Sequence, residues 1–249
     1  MKKLLIISGH GGADSGAVAT IGKKKYKEAT ETIKVANLLK EQLNWYNVMV
    51  DVYDTSVDVY SLLKAGKVIN FKNYDYVLEI HFNACVRDLV GNGKTTGSEI
   101  LLPTRKTHKT NGLENQILTN LASMGFTNRG TKEQHLLVIN TASVTTPASL
   151  LEVCFIDDAD DMAIYTKNRE KVAKKIADAF VKTWKLKECV TITKKAALRN
   201  TKKLGKEYIM KWMASGTKVQ IIEIMPKWIK VRTDDGLIGF VAKSKTNLK

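Results

Sequence analysis

A chain of 249 residues with 44% hydrophobic content is long enough for one large and one small domain, each with its own core. Its three cysteines (Cys85, Cys154, Cys189) are odd in number and in no metal-ligand spacing, which argues against a disulfide framework and for synthesis in a reducing compartment. The net charge of +15 is concentrated in the tail, where residues 190–249 carry 14 Lys/Arg against 4 Asp/Glu. Such a bias fits a polyanionic partner (nucleic acid, anionic lipid or anionic wall polymer) and, more blandly, a well-solvated surface.

The N-terminus, Met1 to Ile7, imitates the start of a signal peptide. Its apolar run, Leu4-Leu5-Ile6-Ile7, falls short of the ~7–15 residues of an h-region, so it reads as a core strand. The chain is therefore expected to be made in the cytoplasm without a signal peptide. No apolar run approaches the ~20 residues of a membrane span, so no stable membrane anchor is expected.

Leu4 to Ser8 is the first strand, followed by a glycine-rich loop, Gly9 to Gly22. Ala29 to Leu43 reads as a helix, with Ile33, Ala36, Leu39 and Leu43 on one face. Val48 to Tyr53 is a strand, Ser56 is a candidate cap for a helix running to about Val68, and Tyr76 to Ile80 is a strand ending at His81. After Gly91, Gly93 and Gly97 come a strand over Glu99–Leu102 and a helix over Gly112–Met124. Leu136–Ile139 and Leu150–Phe155 read as strands, and Arg169–Trp184 as a long helix burying Val172, Ile176, Phe180 and Trp184. Alternation of this kind implies an α/β domain with a mainly parallel, helix-covered sheet over residues 1–187. From 190 to 249 the pattern changes to short β-like runs (Lys218–Ile224, Trp228–Arg232, Gly239–Ala242) with a turn at Asp234-Asp235-Gly236, the punctuation of a small all-β barrel.

His10 and His81 each end an apolar strand, where an α/β sheet opens into a crevice. Zinc catalysis needs about three protein ligands and one open position, and Glu28, at the start of the first long helix, is placed to be the third. Singly, each has a plainer reading: a hydrogen-bonded strand-end histidine, or a first-turn helix carboxylate. Glu152 shifts the balance, because it interrupts the apolar run Ser149–Phe155, where an ionised carboxylate is costly unless partnered. It reads as a general base acting on water at the metal. Glu79, two residues before His81 and so on the same strand face, reads as a supporting carboxylate. His108 reads as a surface residue and His135 as bordering the cleft. Gly9-His10-Gly11-Gly12 lacks the spacing of a nucleotide fingerprint.

Taken together, Gly9-His10-Gly11-Gly12 with Asp14 and Gly16-Ala17, then Glu28, Ile80-His81-Phe82-Asn83-Ala84, Gly97-Ser98-Glu99, Asn128-Arg129-Gly130 and Pro147 through Phe155 form a series. In order and spacing, over roughly residues 1–185, the series resembles the zinc-dependent N-acetylmuramoyl-L-alanine amidases. The resemblance implies Zn2+ as cofactor, held by His10, Glu28 and His81, with Glu152 as the catalytic carboxylate and Glu99 and Asn83 in support. It implies peptidoglycan as substrate, cut at the amide between N-acetylmuramic acid and L-alanine. Cys154 stands where a small residue such as glycine is common, a departure that touches packing. A phage or prophage endolysin, released through a separately encoded holin-type pore, is the expected setting. An intracellular host autolysin and another zinc hydrolase or peptidase are the alternatives.

The tail resembles a bacterial SH3-like wall-binding domain through Ala197-Leu198-Arg199, Gly216-Thr217-Lys218-Val219, Trp228, Val231 and Asp235 through Val241. Phe240 stands where tryptophan is usual. Trp228 and Phe240 are the candidate wall-binding residues, although Trp212, Trp228 and Tyr208 also read as core aromatics, the stronger reading for Trp228. The tail lacks a recognisable nucleic-acid motif, so no nucleic-acid partner is expected and anionic wall polymers are the candidate partners.

Overall fold

The computed structural model describes residues 1–104 and 112–248. His108 lies outside the described residues. The chain divides into two compact units: Lys2–Leu43 with Met49–Trp184, and Met1 with Asn44–Val48 and Lys185–Lys249.

In the first unit a six-stranded sheet has the order β4-β1-β5-β8-β6-β7. Its strands are β1 (Lys2–Ser8), β4 (Val48–Val52), β5 (Tyr76–Asn83), β6 (Ser98–Leu102), β7 (Asn128–Glu133) and β8 (Ala148–Phe155). β1 and β5, β5 and β8, and β6 and β7 pair in parallel, while β6 runs antiparallel to β8. A separate hairpin, β2 (Val18–Ile21) and β3 (Lys24–Lys27), leads directly into helix α1 (Glu28–Leu43). The other helices are α2 (Val59–Lys64), α3 (Leu113–Ala122), α4 (Leu137–Ala142), α5 (Ala159–Lys167) and α6 (Arg169–Trp184).

The central strands read as near-continuous apolar runs because both faces are covered, as parallel sheets require. On one face Leu5, Ile7, Val77, Leu101, Ala148 and Leu150 pack with Val59 of α2 and Val138, Ile139 and Ala142 of α4. α6 buries Val172, Ala173, Ile176, Ala177, Ala179 and Phe180, which includes three residues of the stripe expected from its sequence, while the fourth, Trp184, is only half-buried. Phe180 meets Tyr76 and Trp184 edge to face, with centroids 6.0 and 5.1 Å away. Full burial of such a ring stabilises by roughly 1.5–3 kcal/mol.

Two local expectations fail for identifiable reasons. Leu136–Ile139, expected as a strand, enters helix α4, because Val138, Ile139 and Ala142 bury together and the Asn140 amide and Thr141 hydroxyl donate back to the carbonyls of Leu136 and Leu137. A four-residue apolar run carries no period to distinguish the two. α2 is capped by Asp58 and not by Ser56: the Asp58 carboxylate accepts from the N–H groups of Tyr60 and Ser61, while the Ser56 hydroxyl donates to Asp54.

The second unit carries an antiparallel sheet in the order β11-β10-β14-β13-β12-β9. Its strands are β9 (Cys189–Thr191), β10 (Ala196–Arg199), β11 (Ile209–Met213), β12 (Lys218–Ile224), β13 (Trp228–Arg232) and β14 (Ile238–Ala242). Its core is Val190, Ile192, Ala196, Leu198, Met213, Val219, Ile229, Val231 and Val241. Where a small all-β barrel was expected, the described residues form an open antiparallel sheet whose end strands β11 and β9 do not pair with each other. Among the described residues no helix is long and apolar enough to cross a membrane.

Candidate active site

β1 ends at Ser8, and its ladder continues one residue further through the Gly9 N–H, which donates to the Ile80 carbonyl at 2.8 Å. Gly9 must be glycine, since a Cβ there would lie 2.3 Å from the His81 ring. His10 then takes a left-handed backbone (φ 63°), a conformation that costs a non-glycine residue roughly 1–2 kcal/mol. Strain of this kind concentrates at functional sites. Glu28, the first residue of α1, is held by its N–H to the Ala17 carbonyl (2.9 Å), and the Thr32 hydroxyl ties the same helix to the Gly9 carbonyl (2.9 Å). His81 and Glu79 share the β5 face that carries Val77 and the α2/α4 core.

These elements converge. His10 Nε2 lies 3.1 Å from Glu28 Oε2 and His81 Nδ1 2.9 Å from Glu28 Oε1, with the two imidazole rings edge to face at 5.0 Å. The ligand atoms of His10, Glu28 and His81 all lie within 4.8 Å of one another. The outer nitrogens have carboxylate partners: Asp14 Oδ2 is 2.7 Å from His10 Nδ1, and Glu79 Oε1 is 3.2 Å from His81 Nε2. Carboxylates in these positions fix ring orientation and tautomer at metal centres. A cavity of about 260 Å³ adjoins, lined by both histidines, Asp14, Glu79, Tyr60 and the Leu136–Val138 segment.

The charges follow from this packing. Burial pushes Glu28 up, but hydrogen bonds from His10 and His81 and the Ala17 N–H outweigh it and hold the carboxylate far below the usual range. The bond to Glu28 raises His10 above its ordinary value, against burial and with help from Asp14. Burial lowers His81, yet Glu28 and Glu79 reverse that and raise it well above normal. Without a metal, protons on the imidazoles supply the positive charge that the carboxylates demand.

Glu152 lies beside His81 in the parallel β5–β8 register and beside Glu99 in the antiparallel β6–β8 register. Its Oε2 is buried and has no hydrogen-bond partner among the described residues. Burial, reinforced by Glu28, Glu99 and Glu79 and opposed by His81, pushes its pKa up to about 7. Glu99 differs. Burial raises it, but Lys132 and Arg129 (Nε to Oε2, 2.8 Å) lower it below the ordinary range, and Asn83 Nδ2 donates to its other oxygen at 2.9 Å. Three strands thus bring an ion-paired carboxylate, an unpartnered one and an imidazole side by side.

The donor set fits a metal. Two nitrogens and one carboxylate oxygen, with no thiolate, suit zinc with a position left open. The room is specific, since a Cβ on Gly16 would lie 2.5 Å from the His10 ring and 2.7 Å from Glu28 Oε2. The unpartnered Glu152 oxygen is the base such a site requires. A second acidic group, Asp88, Asp158 and Asp160, is instead occupied with backbone. Asp160 accepts from Asn92 and Gly93, Asp158 caps α5, and Asp88 accepts from Gly91.

The sequence-derived candidates His10, Glu28, His81 and Glu152 therefore meet, and Asn83 and Glu99 bond to each other. His135 is exposed, bonded to Thr104, and is not among the clustered donors. Trp228 and Phe240 belong to the second unit. Ile229, Val231 and Val241 turn inward, so both aromatics stand on the opposite strand face. Trp228 is half-buried and outside that core, which corrects its core reading. Asp14, Arg129 and Lys132 were not singled out for a role. A carboxylate four residues after His10, within a glycine loop, was the available signal for Asp14, and Arg129 stood in the series Asn128-Arg129-Gly130 without a role; nothing local marks Lys132.

A mainly parallel α/β sheet that brings two histidines near strand ends together with a glutamate at a helix start forms a candidate metal-binding group of the kind a hydrolase uses. Residues 4–182 match the Amidase_3 family of N-acetylmuramoyl-L-alanine amidases, and the chain belongs to that family. It is 30% identical over 176 residues to an endolysin of Bacillus phage SPP1, covering 68% of this chain and 60% of that protein. It is 30% identical over 162 residues to the N-acetylmuramoyl-L-alanine amidase CwlM of Bacillus licheniformis, covering 65% and 59%. The matches thus span about three-fifths of the length of these relatives. Among solved structures, the CwlV amidase catalytic domain from Paenibacillus polymyxa var. colistinus superposes with a TM-score of 0.58 at 25% identity, covering 75% of this chain and 100% of that one. The catalytic domain of the CD27L endolysin targeting Clostridium difficile gives 0.57 at 26% identity, covering 73% and 98%.

Proposed function

We propose that the protein is a peptidoglycan hydrolase that cleaves the amide between N-acetylmuramic acid and L-alanine, and that Zn2+ held by His10, Glu28 and His81 is its cofactor. The observation that carries this reading is the convergence of those three donors beside Glu152, whose buried Oε2 has no partner among the described residues. Bound there, zinc supplies Lewis-acid polarisation of the scissile carbonyl and acidifies water at neutral pH.

The remaining work falls to the chain's own groups. Glu152, poised near neutrality, takes the proton of the attacking water on Oε2 and delivers it to the departing alanine nitrogen. Asp14 and Glu79 hold the outer nitrogens of His10 and His81, so each ring presents a fixed nitrogen to the ion. Asn83, Arg129 and Lys132 keep Glu99 ionised and bonded, which leaves Glu152 as the uncommitted carboxylate of the pair.

An endolysin role is supported by the phage relative, and a bacterial host role has equal identity behind it in the amidase CwlM. The C-terminal unit, residues 190–249, reads as an SH3-like module that retains residues 1–187 on the wall. Its support is the open all-β sheet, the residue series from Ala197 to Val241, and the concentrated positive charge. Mass spectrometry of digested peptidoglycan, with and without a chelator, tests the reaction. The expected products are glycan chains with intact lactyl groups and peptides with a new N-terminal alanine, both lost on chelation and restored by zinc. Peptides cut internally, or new reducing sugar ends, would overturn the assignment.

A further inference from the structure

Two concavities adjoin on the C-terminal unit. One, with a cavity volume of about 860 Å³, lies between the Lys202–Leu204 turn, the start of β13 and the residues after β14. The other, of about 210 Å³, is bounded by β10 and by Trp212 of β11. Leu204, Trp228, Ala242 and Lys245 line both, so the two form one continuous groove.

The groove has an apolar floor and a cationic rim. Leu204 is 77% exposed and Trp212 54% exposed, and neither belongs to the core of the unit. Folding gains little from apolar surface left in water, so an exposed aromatic and an exposed leucine in one concavity mark a contact surface. Lys195, Lys202, Lys227, Lys243 and Lys245 line it, and no Asp or Glu does. Among the described residues none of these lysines is paired with a carboxylate. Elsewhere in the same unit Lys211 pairs with Asp235 at 2.6 Å. Lys195 Nζ stands 5.1 Å over the Trp212 ring, which places a cation beside an open aromatic face.

A neutral glycan is held by carboxylate and amide acceptors as well as donors around an aromatic platform, and no Asp, Glu, Asn or Gln lines this groove, whose polar side chains are the five lysines, Arg199 and the hydroxyls of Ser244 and Thr246. A chain that alternates fixed negative charge with short hydrocarbon segments matches both features, charge on the rim and carbon on the tryptophans. We propose that the groove binds a poly(polyol phosphate), an anionic polymer of phosphodiester-linked polyols. This deepens the wall-retention reading of the C-terminal unit and rests on it, but it is independent of the amidase chemistry.

Calorimetric titration of the full-length protein with purified poly(glycerol phosphate), which contains no amide to cleave, tests it directly. Binding is expected, weakened at least about tenfold by Trp212→Ala or by Lys245→Glu. Lys206→Glu removes the same charge from an exposed site outside the groove and is expected to shift affinity less than about twofold. Trp212→Phe should recover most of the loss, and unchanged melting temperatures verify that each variant is folded. Walls stripped of phosphodiester polymers by hydrofluoric acid should retain the protein at least about tenfold less than untreated walls. The proposal is overturned by equal retention on stripped walls, by equal losses in Lys206→Glu and Lys245→Glu, or by binding to duplex DNA or anionic-lipid vesicles as tight as to the polymer. Loss of amidase activity with polymer binding intact would refute the catalytic reading and leave this one standing.

Discussion

The two regions that carry chemistry handle charge in opposite ways. Around the ends of β1, β5 and β8, four acidic groups (Asp14, Glu28, Glu79 and Glu152) and two histidines are packed together and partly buried, and nearly every charge has an opposite one within hydrogen-bond reach. In the C-terminal groove, five lysines stand in water with no carboxylate among the lining residues. Buried charge is tolerable only when paired, whereas solvated charge costs little and is free to meet a ligand. The first arrangement suits an ion and a proton transfer, the second a long anionic partner.

The exception within the first region is the most informative test. Glu79 and Glu152 each keep a buried oxygen without a partner among the described residues, but Glu79 holds His81 through its other oxygen, which leaves Glu152, beside His81 in register, as the uncommitted one. Glu152→Gln keeps shape and volume but removes the base, so turnover on purified walls should fall roughly 10²- to 10⁴-fold while bound zinc stays at wild-type stoichiometry. Wild-type turnover by that variant would remove Glu152 from the mechanism. Parallel loss of zinc would make it a ligand.

The same residue should leave a thermodynamic signature in chelated protein. Its folded pKa of about 7 lies above its usual 4.5, so the folded state holds the proton more tightly than the unfolded one. That contribution to stability is fully present below the unfolded value and is lost as pH rises through about 7. Relative to Glu152→Gln, the wild type should lose on the order of 3 kcal/mol between pH ~4 and pH ~8, as read from urea midpoints. A pH-independent difference between the two would mean that the carboxyl is already solvated or paired.

Much of this site was legible in the sequence because each key residue breaks a local pattern. Glu152 interrupts an apolar run, His81 ends one, and His10 sits among glycines that its own backbone and the His81 ring require. Glu28 was placed by the helix that it starts. What could not be read is what depends on three-dimensional register. The alignment of His81, Glu152 and Glu99 across three strands, and the pairing of Glu99 with Arg129 and Lys132, arise from strand order, which no local pattern encodes. The α/β alternation was legible for long periodic elements and failed at Leu136–Ile139, where four apolar residues fit either period. In the C-terminal unit, short strands announced β structure, but closure of the sheet depends on pairing between distant ends.

Asp14 distinguishes a designed second layer from incidental packing in the first region. It is half-exposed, yet its 2.7 Å contact aligns His10. Asp14→Asn should weaken zinc binding about 10- to 100-fold in competition with a chromogenic chelator, without a comparable loss of stability. Because His10 and His81 are raised and carry protons in the metal-free state, zinc uptake should release protons and weaken as pH falls. Calorimetry in buffers of different ionisation enthalpy reads that release, and a buffer-independent heat would show the imidazoles to be neutral already.

The smallest effect sharpens the comparison best, because it asks the two regions to respond differently to one variable. Raising salt from about 0.1 M to about 1 M shortens the screening length from roughly 10 Å to 3 Å. Exposed lysines facing a polyanion lose most of their attraction under that change, so wall retention should fall at least about tenfold. The clustered donors lie within 4.8 Å of one another and are partly shielded from solvent, so the fields inside the site are screened far less. Turnover of a short, soluble muramoyl peptide should therefore change less than about twofold over the same range. If soluble turnover falls as steeply as retention, catalysis itself depends on long-range attraction, and the division between a paired site and a solvated groove does not hold.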